Sequence, residues 1–267
     1  MRAYLSVFRL RLSMGLQYRT AALAGIATQF FWGFLILMVF VAFYSQSSID
    51  SPISLPQIAD YIWLQQAFLA LIVLWFRDNE LFQLITGGNI AYELCRPSEL
   101  YGFWYAKLLA QRLSGALLRC FPILLVAAFL PEPYRLNLPA TFEAAILSFV
   151  ALLFGLLILV SISMLIYIST FVTMSPAGSL LLFAVLGEFL AGMIIPIPLM
   201  PSWMRSIVYA LPFRFTSDFP FRIYSGHIPV NEALKLLPLQ LAWLAALVAV
   251  GKYTMSKALR RVVVQGG

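Results

Sequence analysis

The chain has 267 residues, of which 62% are hydrophobic and only 11% charged, and it carries a net charge of +7 at pH 7. A water-soluble domain carries roughly twice that share of charge, so the composition excludes an ordinary soluble enzyme. The basic residues flank apolar runs, which assigns them to anionic lipid headgroups rather than to nucleic acid.

The basic N-terminal segment holds Arg2, Arg9, Arg11 and Arg19. The first apolar run starts near Thr20 and is too long for the core of a signal peptide, so no cleavable leader is expected. The first span lies between Arg19 and Asp50, with its core at Leu23 to Tyr44. Gln29 lies inside it as a polar contact between helices, and Gly25 and Gly33 mark a close helix approach. The second span is Ile58 to Phe76, with Asp60 at headgroup level and Gln65 and Gln66 within.

Residues Arg77 to Tyr105 read RDNELFQLITGGNIAYELCRPSELYGFWY. Charges mixed with large apolar groups predict a short helix on the membrane interface. Gly87 and Gly88 break it, and Pro97, Ser98 and Glu99 form a fresh helix start. The third span runs from Lys107 to Leu130 and carries Arg112 and Arg119 on one face. Arg112 is expected to snorkel to the headgroups. Arg119 lies too deep for that, and a pairing with Glu188 is left open.

From Ala144 to Gly187 there is no Asp, Glu, Lys, Arg or His. A spanning helix needs about 20 apolar residues, so this run holds two spans, Ala144 to Val172 and Ala177 to Ile197, with Pro176 at the turn. Glu188 lies inside the fifth. Burying a carboxylate in a span is costly without a partner, so Glu188 is either a structural partner or a lining of a path. The fifth span ends at the run PIPLMP, whose prolines Pro196, Pro198 and Pro201 cannot continue an ordinary helix. Residues Pro196 to Asn231 are expected to form amphipathic or re-entrant pieces around Trp203 to Tyr209 and Phe213 to Tyr224. The sixth span is Leu236 to Val250.

An even number of spans puts both termini on one side. With the N-terminus inside, the inner side receives the N-terminal arginines, Arg77, Arg96, Lys107, Arg112 and the basic residues after Lys252. The outer side receives Arg135, Arg205, Arg214, Arg222 and Lys235. The excess marks the inner side as cytoplasmic.

Chemistry is sparse. His227 is the only histidine, which excludes multi-histidine metal sites. It is expected at the surface. No GxxxxGK[ST] phosphate loop and no GxSxG elbow occurs. Cys95 and Cys120 have no metal-ligand spacing and read as small hydrophobes. A secondary transporter, the alternative reading, would show an internal repeat and matching broken spans in two halves. Here only the fifth span reads as broken, and no repeat is evident.

Two stretches carry a resemblance. ITGGNIAYELCRPSELYGFWYAKLLAQRL at Ile85 to Leu113 and GEFLAGMIIPIPLMPSWMRSIVYALPFRF at Gly187 to Phe215, within the six-span layout, resemble the ABC-2 type permeases, membrane subunits of type V ABC exporters. The nearest subgroup is the ABC-2 family transporter proteins. The resemblance implies one all-α polytopic domain over residues 1–267, with six transmembrane helices. It also implies an N-terminal interface helix at about Tyr4 to Tyr18 and a re-entrant helical hairpin at about Ile197 to Lys235. It places the docking helix for a cytoplasmic ATPase at Gly88, Tyr92, Glu93, Leu94, Arg96 and Pro97. Two permease subunits, identical or paralogous, would form the pathway, with Gln29, Gln65, Glu188, Pro196 and Pro198 lining or framing it. The prolines would close its outer mouth. No cofactor is implied in this chain; ATP and magnesium belong to the partner ATPase. The implied location is a bacterial cytoplasmic membrane and the implied cargo a hydrophobic or amphipathic compound.

Overall fold

Inside a bilayer no water satisfies peptide groups, so each apolar segment must close its hydrogen bonds within itself. The computed structural model, which describes residues 2–46 and 51–261, meets this with helices alone; no strand occurs among the described residues. The first helices are α1 (Arg2–Leu16), α2 (Arg19–Gln46), α3 (Leu55–Ala67), α4 (Leu69–Ile72), α5 (Asn79–Thr86) and α6 (Ile90–Leu94). They are followed by α7 (Leu100–Ala128), α8 (Phe142–Thr173), α9 (Pro176–Leu190), α10 (Ser202–Ala210), α11 (Asp218–Tyr224) and α12 (Val230–Leu259). Short 3-10 turns at Ile197–Leu199 and Pro212–Thr216 flank α10.

Among the described residues, four helices are long and apolar enough to cross a membrane: α2, α7, α8 and α12. Of these, α8 is the central pillar. In its most apolar stretch 67% of residues are buried, against 11% to 28% in the others. α12, α11, α9, α7 and the Pro212–Thr216 turn all pack on it. Gly155 makes one approach possible: a Cβ there would fall 2.5 Å from the carbonyl oxygen of Phe215. α1 is not isolated on the surface but runs along the first half of α7. The Tyr4 ring lies over Gly102, and the Tyr4 hydroxyl accepts from the Glu99 amide (3.1 Å) at the start of α7.

The second span departs from a continuous Ile58–Phe76 helix. α3 opens with a capping box between Ser54 and Gln57. The helix breaks at Phe68, resumes as α4 and ends at Ile72. Val73 and Leu74 are buried although they lie outside any helix. Buried carbonyls there need donors, and Arg112 of α7 supplies them. Its Nη1 donates to the carbonyls of Ala70 (3.2 Å) and Val73 (2.7 Å), and its Nη2 to Phe76 O (3.1 Å) and Ser163 Oγ (3.1 Å). The Asp78 amide donates to the Tyr167 hydroxyl (2.7 Å) on α8. Arg112 is therefore buried in the bundle and does not snorkel. The reason is geometric: a planar fork with several donors matches a run of converging carbonyls better than any other side chain.

The fifth apolar segment also stops earlier than Ile197. α9 has 15 residues, about 22 Å of helix, short of the roughly 30 Å hydrocarbon core. It ends in a Schellman motif: Gly192 stands at φ +76, its amide donates to Phe189 O (3.1 Å), and the Met193 amide donates to Glu188 O (3.0 Å). The helix stops at Leu190, before the proline cluster. α12 exceeds the expected Leu236–Val250 at both ends, because a helix that crosses the core also continues into each polar layer.

Replacing Arg112 by Met leaves the Ala70, Val73 and Phe76 carbonyls without this donor, at about 1–3 kcal/mol for each group left unsatisfied. The R112M protein is expected to melt several degrees below the parent in detergent. R112K should recover only part of the loss, since an ammonium lacks the planar fork. An R112M melting curve that overlays the parent would contradict this assignment.

Candidate functional site

Three clusters of chemistry-bearing side chains lie on this frame. The first is the segment between the second and third apolar runs. Asp78 caps α5 by accepting from the Glu80 amide (2.9 Å). Glu80 pairs with Arg11 of α1 and with Lys107 of α7 (3.4 Å), tying three helices together. Burial by itself would raise the Glu80 carboxyl, but the Arg11 and Lys107 charges outweigh it and hold it below its ordinary value. Next comes the break at Gly87 and Gly88, the latter at φ +74, followed by α6.

Within α6 the residues divide cleanly. Glu93 is only 6% exposed. It accepts from Trp104 Nε1 (3.4 Å) and pairs with Arg96 (3.1 Å). The Arg96 guanidinium lies over the Phe103 ring, 4.8 Å from its centre. Tyr92 is 75% exposed and Leu94 40% exposed. Gly88, Arg96 and Pro97 are exposed too. Glu93 thus points inward, unlike an outward docking charge, and fixes the orientation of a surface formed by the others. Beside it a cleft of ≈ 520 Å³ is lined by Ile85 to Ile90, the end of α8 at Phe171 and Val172, and Ala258 and Arg261 near the end of α12.

The second cluster surrounds the break after α9. The Gly192 carbonyl accepts from Tyr61 Oη (2.9 Å) and from Gln65 Nε2 (3.3 Å), both on α3. Glu188 is half-buried, with Oε1 enclosed and unpartnered among the described residues. Gln29 is buried with both amide atoms unpartnered among the described residues. Pro196 and Pro198 are buried and Pro201 exposed. The open pairing of Arg119 with Glu188 is not formed. Arg119 lies instead over Gly25 of α2, where a Cβ would fall 2.6 Å from its Cζ. The close approaches expected at Gly25 and Gly33 are present, the latter against Trp63.

The third cluster escaped sequence reading. Asp218 and Arg222, one turn apart on α11, form a buried ion pair (3.0 Å). Arg222 also donates to the Tyr209 hydroxyl (3.1 Å), and the Tyr61 hydroxyl lies 3.4 Å from Asp218 Oδ1. The Arg214 guanidinium lies over the Tyr209 and Phe215 rings, 4.9 Å and 4.6 Å from their centres. Gln240 of α12 is fully buried and donates to Ala151 O (2.8 Å). The available signal was the i, i+4 spacing of Asp218 and Arg222. A count of flanking charges hides it, because it treats Arg214 and Arg222 as outer surface groups. His227 is half-buried rather than a plain surface group. Burial and the nearby Arg222 push it down to about 4, so it is neutral at pH 7.

The family model of ABC-2 family transporter proteins matches residues 30–266. The chain belongs to that family. No curated protein and no solved structure matches it. Family membership and the apolar helices make this ABC-2 chain a multi-pass membrane protein of the ABC transporter class.

Removing one member of a buried ion pair strands the other charge, at about 3–5 kcal/mol. Asp218→Leu is therefore expected to destabilise the protein strongly, and Arg222→Met somewhat less, since the Tyr61 hydroxyl remains near Asp218. The double variant should be more stable than D218L alone, because no charge is left stranded. Thermal unfolding of the set in detergent checks this; additive losses would contradict the pairing.

Proposed function

We propose that the chain is the permease subunit of an ATP-driven exporter, with six membrane crossings and both termini in the cytoplasm. Four crossings are the long helices. The second is α3 and α4 continued by the Arg112-bound residues to Phe76, and the fifth is α9 continued by the residues after Gly192. The segment from Ile197 to Lys235 then acts as the outer re-entrant hairpin. The buried chemistry of α11 favours this: an ion pair shielded by Tyr61 and Tyr209 suits a segment folded back into the bundle better than one lying in water. Excluding the buried Arg112, Arg214 and Arg222 from the charge count still leaves the basic excess on the side of α1, which supports the orientation. The proposed location is a bacterial cytoplasmic membrane.

The reading rests most on the surface around α6. A plain connector would turn polar side chains outward. Here Tyr92, Leu94 and Pro97 project beside Arg96 and the Gly88 turn, while Glu93 and Trp104 anchor them from below. That is a rigid, apolar and basic patch suited to a groove on a soluble partner. We assign the partner as an ABC ATPase, which holds ATP and magnesium and supplies the energy that this chain has no phosphate loop to harvest. The pathway forms between two permease subunits, identical or paralogous. The outward faces of α2 and α9 mate, α3 stands buried behind them with Gln29 and Gln65, and Glu188 lies at the edge of that wall. Pro196 and Pro198 shape the outer mouth. A cavity between such apolar faces suits a hydrophobic or amphipathic cargo.

The test is ATP hydrolysis by the cognate ATPase co-purified with this chain. Tyr92→Ala with Leu94→Ser, both exposed, should leave insertion and melting unchanged while reducing co-purified ATPase or cargo-stimulated hydrolysis about tenfold or more, the ordinary cost of losing a docking anchor. Full coupling in that double variant, or export driven by an ion gradient without hydrolysis, would overturn the reading.

A further inference from the structure

On the α1 side of the bundle, a cleft of ≈ 330 Å³ opens where α1, the start of α2, residues 76–79 and the middle of α7 meet. Its walls carry Arg11, Arg77 and Arg119, with Asp78 as the lining carboxylate. Asp78 is already used as the cap of α5, and Arg11 is paired with Glu80. Arg77 and Arg119 take part in none of the ion pairs among the described residues. The Nε of Arg119 is enclosed without a hydrogen-bond partner. A guanidinium within an apolar helix is costly unless something negative or polar meets it. Arg112 shows how this chain solves the problem elsewhere, with four acceptors from its own fold. Arg119 has no equivalent, and it faces a cleft instead.

We propose that this cleft binds the phosphate headgroup of an anionic phospholipid from the leaflet on the α1 side. Two features favour a lipid over a soluble anion. The cleft lies at the junction of α1 and α2, where the apolar run of α2 begins, and residues 76–79 at the end of the second apolar run line it too. Its floor is therefore at the boundary between polar layer and hydrocarbon, and Arg119 is shallower than its place in the third apolar run suggests. Its remaining walls include Met14, Ala21, Ala22 and Leu118, which suit the glyceride part of a lipid and would not help a free ion. Guanidinium forks bind phosphate oxygens bidentately, so Arg77 and Arg119 take the phosphate from two sides. Gly25 leaves the space in α2 that the Arg119 guanidinium occupies. A lipid held there touches α1, α2, α7 and the end of the broken second span, and so stiffens the joint between the N-terminal helix and the bundle. This site is independent of ATPase docking, which uses the opposite end of the 77–99 segment.

The full-length purified chain in a mild detergent, examined by native mass spectrometry, tests the assignment. The probes are dioctanoyl phosphatidylglycerol, dioctanoyl phosphatidylcholine and inorganic phosphate. Phosphatidylglycerol should bind about tenfold or more tightly than phosphatidylcholine, and millimolar inorganic phosphate should not displace it. Arg77→Gln with Arg119→Gln should remove that preference, while Arg77→Lys with Arg119→Lys should retain much of it. Equal binding of the two lipids to the parent protein would overturn the proposal, as would an undiminished preference in the glutamine variant. Complete displacement by inorganic phosphate would also overturn it, assigning the cleft to a soluble anion. The two parent-protein measurements decide the matter even where the glutamine variant fails to fold.

Discussion

A membrane helix that stops inside the bundle leaves carbonyl groups with no water to bind, and Arg112 resolves that problem for the second apolar segment. One guanidinium on α7 reaches the carbonyls of Ala70, Val73 and Phe76 and the hydroxyl of Ser163 on α8. The extended stretch after α4 is thereby held against the two longest neighbours. The position of α5 follows, because Asp78 both donates its amide to Tyr167 and caps the helix. Glu80 then locks α5 to α1 and α7. The orientation of the exposed α6 surface depends on this chain of polar contacts, of which the Arg112 set is buried and worth most, while the Glu80 pairs reach the surface and contribute less.

The same short helix pair is tied at its other end. Tyr61 and Gln65 of α3 hold the carbonyl of Gly192, the turn where α9 ends. Asp60 accepts from the amide (2.7 Å) and side chain (3.1 Å) of Asn137 in the loop before α8. Tyr61 also reaches the buried Asp218. α3 and α4 therefore connect the broken end of one apolar segment with the broken end of another. A displacement at α6 has a contiguous packed route through Arg112 and α3 to the segment around α11.

Much of this was legible in the sequence because bilayer physics simplifies it. The uncharged run from Ala144 to Gly187 located α8 and α9, with Pro176 at the start of α9. Gly87 and Gly88 marked the break between α5 and α6, and Glu99 the start of α7. What the sequence hid were decisions made by tertiary partners. Ile58 to Phe76 reads as one helix, since nothing local marks Phe68 or Val73 as a break; the carbonyls released there are tolerated only because Arg112 arrives from elsewhere. Counting charges treats every arginine alike, so Arg112, Arg214 and Arg222 enter the inside–outside tally although all three are buried. Nothing in the spacing of Glu93 signals Trp104, a helix away, which turns its side chain inward.

An electron cryomicroscopy map of this chain bound to its ATPase tests the account most directly. The account predicts a second span that leaves helical geometry after Ile72, with the Arg112 guanidinium within hydrogen-bond distance of the carbonyls of residues 70, 73 and 76. It also predicts Tyr92 and Leu94 inside the ATPase contact, with Glu93 facing Trp104. A continuous helix through Phe76, with Arg112 extended to the lipid headgroups and the α6 surface free of the partner, would contradict it.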